Sequence, residues 1–259
     1  MSVTDETSTG QIRQLSQVVG MRSENTMLAS LPAEDHIRIA GQLISVPMRA
    51  KERLYRQDAP IEGVYFPGGG ACALVKTTEE GHTVHIAVVG SEGAIGVSVF
   101  FGLHRHPCDV IVHVAGPGAE VLPLRVFSSE MEQRGALYNR VIRYNQALVM
   151  QLMQSTACNG LHSAAERFAC WLLSTHDRVG RDAFPFTHDF AAMMLGLRRP
   201  TVTLIAGRLQ SVGIIEYRRG TVRIVDRPAL ETVSCRCYRD VRDTFERLLP
   251  EVRCGQLLI

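Results

Sequence analysis

Residues 187–209 read Thr187-His188-Asp189-Phe190-Ala191-Ala192-Met193-Met194-Leu195-Gly196-Leu197-Arg198-Arg199-Pro200-Thr201-Val202-Thr203-Leu204-Ile205-Ala206-Gly207-Arg208-Leu209, and residues 213–224 continue Gly213-Ile214-Ile215-Glu216-Tyr217-Arg218-Arg219-Gly220-Thr221-Val222-Arg223-Ile224. Thr187 is a helix-capping residue, and Phe190, Ala191 and Met194 follow it at helical spacing. Gly196 supplies the positive φ of a tight turn between two helices. Pro200 falls in the first turn of the second helix, where backbone N–H groups have no intrahelical acceptor. Val202, Ile205 and Leu209 form one apolar face of that helix, whereas Arg198, Arg199, Thr201, Thr203 and Arg208 lie largely off it. An Arg/Thr-rich helix N-terminus of this kind suits the DNA major groove. The two short apolar runs around Arg218-Arg219-Gly220-Thr221 predict a hairpin with a basic tip, suited to phosphate. Together the segments predict a winged helix-turn-helix. A helical hairpin and a β-hairpin that merely pack together is the plainer reading; the combination of turn glycine, early proline and two basic surfaces favours DNA.

Charge is unevenly distributed. Residues 1–133 carry 10 basic and 15 acidic side chains, a balance of −5, whereas residues 187–227 carry 7 and 3, a balance of +4. The C-terminal part is therefore the one drawn to a polyanion. All basic residues except Lys51 and Lys76 are Arg, which suits bidentate contacts but also fits a GC-rich genome. At 259 residues the chain can hold two domains with separate cores. No apolar run is long enough to span a membrane. The polar N-terminus and the seven Cys without a secreted-scaffold spacing predict a reduced, cytoplasmic protein.

Working outward, residues 1–22 form a polar tail and residues 23–42 suggest short helices, with a fresh start at Leu31-Pro32-Ala33. Seven short β-type runs follow: 43–46, 53–56, 64–66, 72–76, 83–88, 109–114 and 119–122, separated by Gly-rich turns. They predict a β jelly roll over residues 23–133. Leu137, Val141, Tyr144, Leu148 and Leu152 step by four, three, four and four, so residues 134–160 read as one long helix ending at a hinge, Asn159-Gly160. The expected partner of its stripe is the same helix of a second chain; packing on its own barrel is the alternative. Residues 161–259 hold the winged helix-turn-helix, with a final helix over roughly 228–249. The fold class is α+β.

The order of these parts resembles the Crp/Fnr superfamily of bacterial transcription regulators. The likeness rests on Val64-Tyr65-Phe66-Pro67 with Gly70, on Glu80-Gly81-His82-Thr83-Val84, on Val89-Gly90-Ser91-Glu92-Gly93-Ala94-Ile95-Gly96, and on Gly196 through Thr203. Cys158-Asn159-Gly160-Leu161-His162-Ser163 and Cys235-Arg236-Cys237-Tyr238-Arg239 resemble one branch of it. The resemblance implies a sequence-specific homodimer on a near-palindromic operator, acting with or against RNA polymerase. It places base contacts at Arg199, Pro200 and Leu204. Pro200 and Leu204 depart from the family's usual residues there, so Arg198 and Thr203 become further base-reading candidates, and Thr201, Arg218 and Arg219 phosphate candidates.

The resemblance also locates an effector pocket around Gly96, Val97, Cys108 and Asp109. Family members that bind cyclic nucleotides carry Gly-Glu and Arg-Ser at these places; a carboxylate at Asp109 repels a phosphate, which disfavours a cyclic nucleotide. No Cys precedes Cys72, which disfavours the family's N-terminal iron–sulfur centre. His82, His85, His104 and His106 are candidate metal ligands without a recognised spacing, and a cupin-like metalloenzyme built on them is one alternative function. A dimeric scaffold without DNA function is another. Cys235 and Cys237, two apart on an expected helix, should not face each other, so no metal site and no cofactor is expected there.

Overall fold

A computed structural model describes residues 23–79, 81 and 83–250; the polar tail, Glu80, His82 and Cys254 lie outside them. The chain opens with α1 (Thr26–Ala29) and α2 (Ala33–Ala40), the latter begun by Pro32. Seven strands follow: β1 (Ile44–Val46), β2 (Arg53–Tyr55), β3 (Gly63–Pro67), β4 (Ala71–Thr77), β5 (Thr83–Val89), β6 (Asp109–Val114) and β7 (Ala119–Pro123). They form two sheets in the orders β1-β7-β3 and β2-β6-β4-β5, with antiparallel pairing throughout. The sheets make an open, jelly-roll-like sandwich. Its inside is filled by Val64, Phe66, Cys72, Val110, Val112 and Leu122, all fully buried.

The four-stranded sheet is apolar on both faces. Ala71, Ala73 and Val75 of β4 and Val88 of β5 point away from the sandwich and are also fully buried. That is why Ala71-Cys72-Ala73-Leu74-Val75 reads as a continuous apolar run without the alternation of a half-solvated strand.

After β7 come α3 (Leu124–Gln133) and the long α4 (Ala136–Leu161). The expected helix is thus present at 26 residues, but its stripe is only partly free. Leu137, Val141 and Tyr144 are at most 1% exposed, packed into the core of the same chain's sandwich, and Leu148 and Leu152 are half-buried. The period marked a buried face; the sandwich, not a second chain, covers its first half. Val149, Met150 and Met153 are 46–62% exposed on the opposite side of the helix. The break also falls later than expected. Gly160 is accommodated within α4, which ends at Leu161 with His162 as its C-cap; Ser163 then caps α5 (Ala164–Val179) with a reciprocal capping box to Glu166.

The C-terminal part contains β8 (Ala183–Pro185), α6 (His188–Leu195), α7 (Arg199–Ser211), β9 (Ile215–Arg218), β10 (Thr221–Ile224), α8 (Arg227–Val233) and α9 (Cys237–Leu248). The single final helix expected over 228–249 is two helices, interrupted at Ser234–Arg236.

The two cores are not separate. Phe245 and Leu249, from and just after α9, join the sandwich core, while the outer face of β4 and β5 joins the core of the winged module. His113 of β6 stacks on Trp171 of α5 at 5.2 Å and meets Phe190 of α6 at 4.4 Å. A buried ion pair reinforces this contact: Arg178 Nε of α5 donates to Glu92 Oε1 at 2.9 Å, both side chains under 10% exposed. Glu92 is oriented by the N–H of Gly90, and Arg178 lies 5.7 Å from the Phe245 ring centroid. Such a pair withstands burial because each charge has a close partner.

Candidate nucleic-acid interface and a cysteine cluster

The helix-turn-helix forms from the residues its sequence nominates. Thr187 accepts from the N–H of Phe190 at 3.2 Å and caps α6. Gly196 ends α6 at φ 61°, and the N–H of Leu197 returns to the carbonyl of Ala192. Pro200 lies in the first turn of α7. Val202, Ile205, Ala206 and Leu209 fix α7 to the module core. Arg198, Arg199, Pro200, Thr203, Leu204 and Arg208 face solvent, Thr201 is half-buried, and Leu204 is 56% exposed. An apolar side chain exposed on such a helix can contact a thymine methyl.

The exposed face has its own hydrogen bonds. Arg199 Nε is 3.4 Å from Asp189 Oδ1, with both side chains at least 66% exposed, so the pair is weak and easily exchanged. The Thr203 hydroxyl donates to the Arg199 carbonyl at 3.0 Å and lies 3.0 Å from His188 Nδ1. The His188 ring packs on Tyr217 of β9 at 4.7 Å, linking α6 and α7 to the wing. Burial, and after it the Arg199 charge, hold His188 below its usual pKa.

The wing is a two-residue hairpin. Arg218 pairs with Thr221, and Arg219 (φ 49°) and Gly220 (φ 78°) make the left-handed turn between them. β8, which sequence reading missed, pairs with β10, and the N–H of Phe186 donates to the Gly220 carbonyl. The tip carrying Arg218 and Arg219 is therefore held rigidly beside α7, with both arginines exposed.

Of the residues expected to line an effector pocket, Gly96 lies against Tyr55. Gly96 has φ 94° and faces the Tyr55 ring and the Gly63 carbonyl. His106 stacks on Tyr55 at 4.8 Å, and its Nδ1 lies 2.6 Å from the Cys108 carbonyl. Tyr55 donates to the Gly63 carbonyl at 2.6 Å. Val97 and Cys108 are buried, and the Asp109 carboxylate accepts from the N–H of Gln57 at 2.8 Å and pairs loosely with Arg53. The contacts of Gly96 and His106 converge on the Tyr55 ring. His104 is exposed on the loop before β6, and His85 lies on β5 beside the winged module.

Cys235 and Cys237, which sequence reading discounted as a metal site, meet two further ligand-type side chains. Cys158, His162, Cys235 and Cys237 bring their ligand atoms within 4.8 Å of one another; among the described residues no other such group of three or more is found. Cys158 Sγ is 3.5 Å from Cys235 Sγ, and Cys237 Sγ is 3.4 Å from His162 Nδ1. The half-buried Cys170 of α5 places its sulfur 3.2 Å from Cys235 Sγ. Gln154 Nε2 donates to Cys237 Sγ at 3.0 Å. The expectation that Cys235 and Cys237 would diverge assumed one continuous helix. Cys235 instead lies in the interruption before α9 and Cys237 at its first turn, so both sulfurs turn inward. Cys158 and His162 are one turn apart at the end of α4, on one face of it. Burial pushes Cys235 up to about 12, and Cys237 is also raised by burial. A hydrogen bond from Cys170, then burial, raises Cys158.

Residues 166–233, from α5 to α8, match the family model of the Crp-like helix-turn-helix domain. The chain carries a Crp-like helix-turn-helix domain. About three quarters of the chain shares its fold with solved Crp/Fnr-type regulators. It is similar to FixK2 from Bradyrhizobium japonicum at 17% identity and a TM-score of 0.65, over 74% of this chain and 98% of that one. It is also similar to a CRP-family transcriptional regulator from Thermus thermophilus, at 20% identity and a TM-score of 0.61, over 73% and 95% of the two chains. No curated protein sequence matches it. Among the described residues no helix is long and apolar enough to cross a membrane.

Proposed function

We propose that the chain is a homodimeric transcription regulator of the Crp/Fnr type that reads duplex DNA through α7. The observation that carries this reading is one surface. Arg198, Arg199, Thr203, Leu204 and Arg208 project from a helix whose other face is locked in the core, and Arg218 and Arg219 stand beside it on a rigid wing. Arg199 exchanges its exposed Asp189 partner for guanine O6 and N7; Arg218 and Arg219 take phosphate. Dimerisation uses the free face of α4 at Val149, Met150 and Met153, with the half-buried Leu148 and Leu152 at its margin. Two reading heads related by that seam would address half-sites one helical turn apart. Contacts with RNA polymerase and a location in the cytoplasm belong to the same reading. An effector, where one acts, shifts the population of dimers able to bind.

Fluorescence anisotropy on a labelled duplex at several salt concentrations tests it. Log affinity should fall steeply with log salt through counterion release. Arg199→Ala should flatten base preference, while Arg218→Ala should weaken all duplexes alike and lower the salt slope by about 1. Binding that ignores salt, or base preference unchanged in Arg199→Ala, would contradict the proposal.

A further inference from the structure

We infer that Cys158, His162, Cys235 and Cys237 form a binding site for one tetrahedral Zn²⁺ that clips the end of the long helix to the C-terminal helix pair. Around an ion with Zn–S near 2.3 Å, neighbouring thiolate sulfurs stand about 3.8 Å apart and a sulfur–imidazole edge is slightly shorter. The measured edges are 3.5 Å for Cys158 to Cys235 and 3.4 Å for Cys237 to His162. All four ligand atoms fall within 4.8 Å of one another, so a small contraction of the longer edges brings every one to a single ion. A cubane iron–sulfur cluster needs its thiolates spread further, because each binds a different iron. Three soft sulfurs and one imidazole select zinc over magnesium or calcium.

The surroundings are those of a structural site. Cys158, Cys235 and Cys237 are each under 10% exposed and His162 is half-buried, so the ion is shielded from water on most sides. The Gln154 amide donates to Cys237 Sγ at 3.0 Å, a bond of the kind that steadies a thiolate ligand. A cavity of about 80 Å³, lined among others by Gln154, Cys158, Cys170 and Cys237, leads to the sulfurs and offers a path for the ion. Binding converts three S–H groups to thiolates and releases three protons to solvent. Cys170 stays outside the set, 3.2 Å from Cys235, as a neighbouring thiol.

The site joins segments far apart in sequence. Cys158 and His162 end α4, while Cys235 and Cys237 flank the start of α9, which lies along α4 and sends Phe245 into the sandwich core. An ion there fixes the angle at which the long helix meets the reading head. The inference stands whether or not the chain reads DNA.

The test uses the full chain, reduced and stripped of metal with a chelator, then titrated with Co²⁺ and with Zn²⁺. Expected are the d–d bands of tetrahedral cobalt with a thiolate-to-cobalt charge-transfer band, saturating at one ion per chain and displaced by zinc. Cys158→Ser and Cys237→Ser should each abolish that spectrum. Cys72→Ala, in the sandwich core, should keep it. Gln154→Ala should weaken zinc binding about tenfold. Mass spectrometry of alkylated thiols on the unmodified chain avoids any folding defect of the variants: zinc should protect Cys158, Cys235 and Cys237 together. Absence of stoichiometric cobalt binding by the reduced chain would overturn the assignment. So would zinc protection that omits these cysteines, or a spectrum unchanged in Cys158→Ser.

Discussion

The helix-turn-helix and the cysteine cluster are two polar constellations in the C-terminal half of the chain, yet they are built in opposite ways. The helix-turn-helix is contiguous: Thr187, Gly196, Pro200 and the basic residues of α7 each do locally what their residue type dictates. The cluster is assembled from the ends of elements, with Cys158 77 positions before Cys235 and His162 75 before Cys237. A local site depends on caps and turns and survives when the rest of the fold loosens. A scattered site is only as good as the packing that aligns its pieces. Here that packing is the docking of the winged module onto the outer face of β4 and β5, with Glu92–Arg178 and His113 at its centre.

The strongest way to separate the two is to break that docking. Arg178→Ala leaves Glu92 buried without its closest charge and should cost about 3–5 kcal/mol of stability in urea unfolding. Metal affinity should fall with it, whereas base preference of the folded fraction should not change; equal loss of both would erase the distinction. Zinc at a hundredfold excess over its Kd should stabilise the chain by about 2.7 kcal/mol. That corresponds to a rise in Tm of roughly 5–11 °C, readable by calorimetry with and without chelator. Arg199→Ala acts on the local site alone. It should lose about 1–3 kcal/mol of discrimination at one base position and leave the cobalt spectrum as it is. Thr187→Ala should cost about 1 kcal/mol through loss of the α6 cap.

A separate effect concerns pH. Burial holds His113 down to about 3, against an ordinary value of 6.5. Its folded value lies below its unfolded one, so the neutral ring's contribution is complete above pH about 6.5 and is lost progressively as pH falls below that. Tm measured between pH 7 and pH 5 should decline, and His113→Phe, which keeps an aromatic ring against Trp171 and Phe190, should flatten the decline.

What sequence reading recovered follows the same division. All seven strands of the sandwich, α6, α7 and the wing were legible, because alternation, turn glycines and caps are local signals. Leu137, Val141 and Tyr144 were legible as a buried stripe but not as to what buries them, since periodicity names a face and not its partner. The exposed apolar face at Val149, Met150 and Met153 was hidden because α4 is apolar on two opposite sides. The cluster was missed through one boundary. Ser234 to Arg236 carries no Gly or Pro, so the interruption between α8 and α9 left no mark, and Cys235 was read as helical. Cys158 and His162 at i, i+4 was the available signal, and it gained meaning only once the fold brought Cys-x-Cys beside it.

The central claim is that a paired, arginine-bearing helix reads sequence. Selection from a random duplex pool by the purified chain tests it most directly. The account predicts enrichment of two inverted half-sites with centres about one helical turn apart, bound by two chains per duplex. Recovery of sequences no different from the starting pool, or of single half-sites bound by one chain, would contradict it.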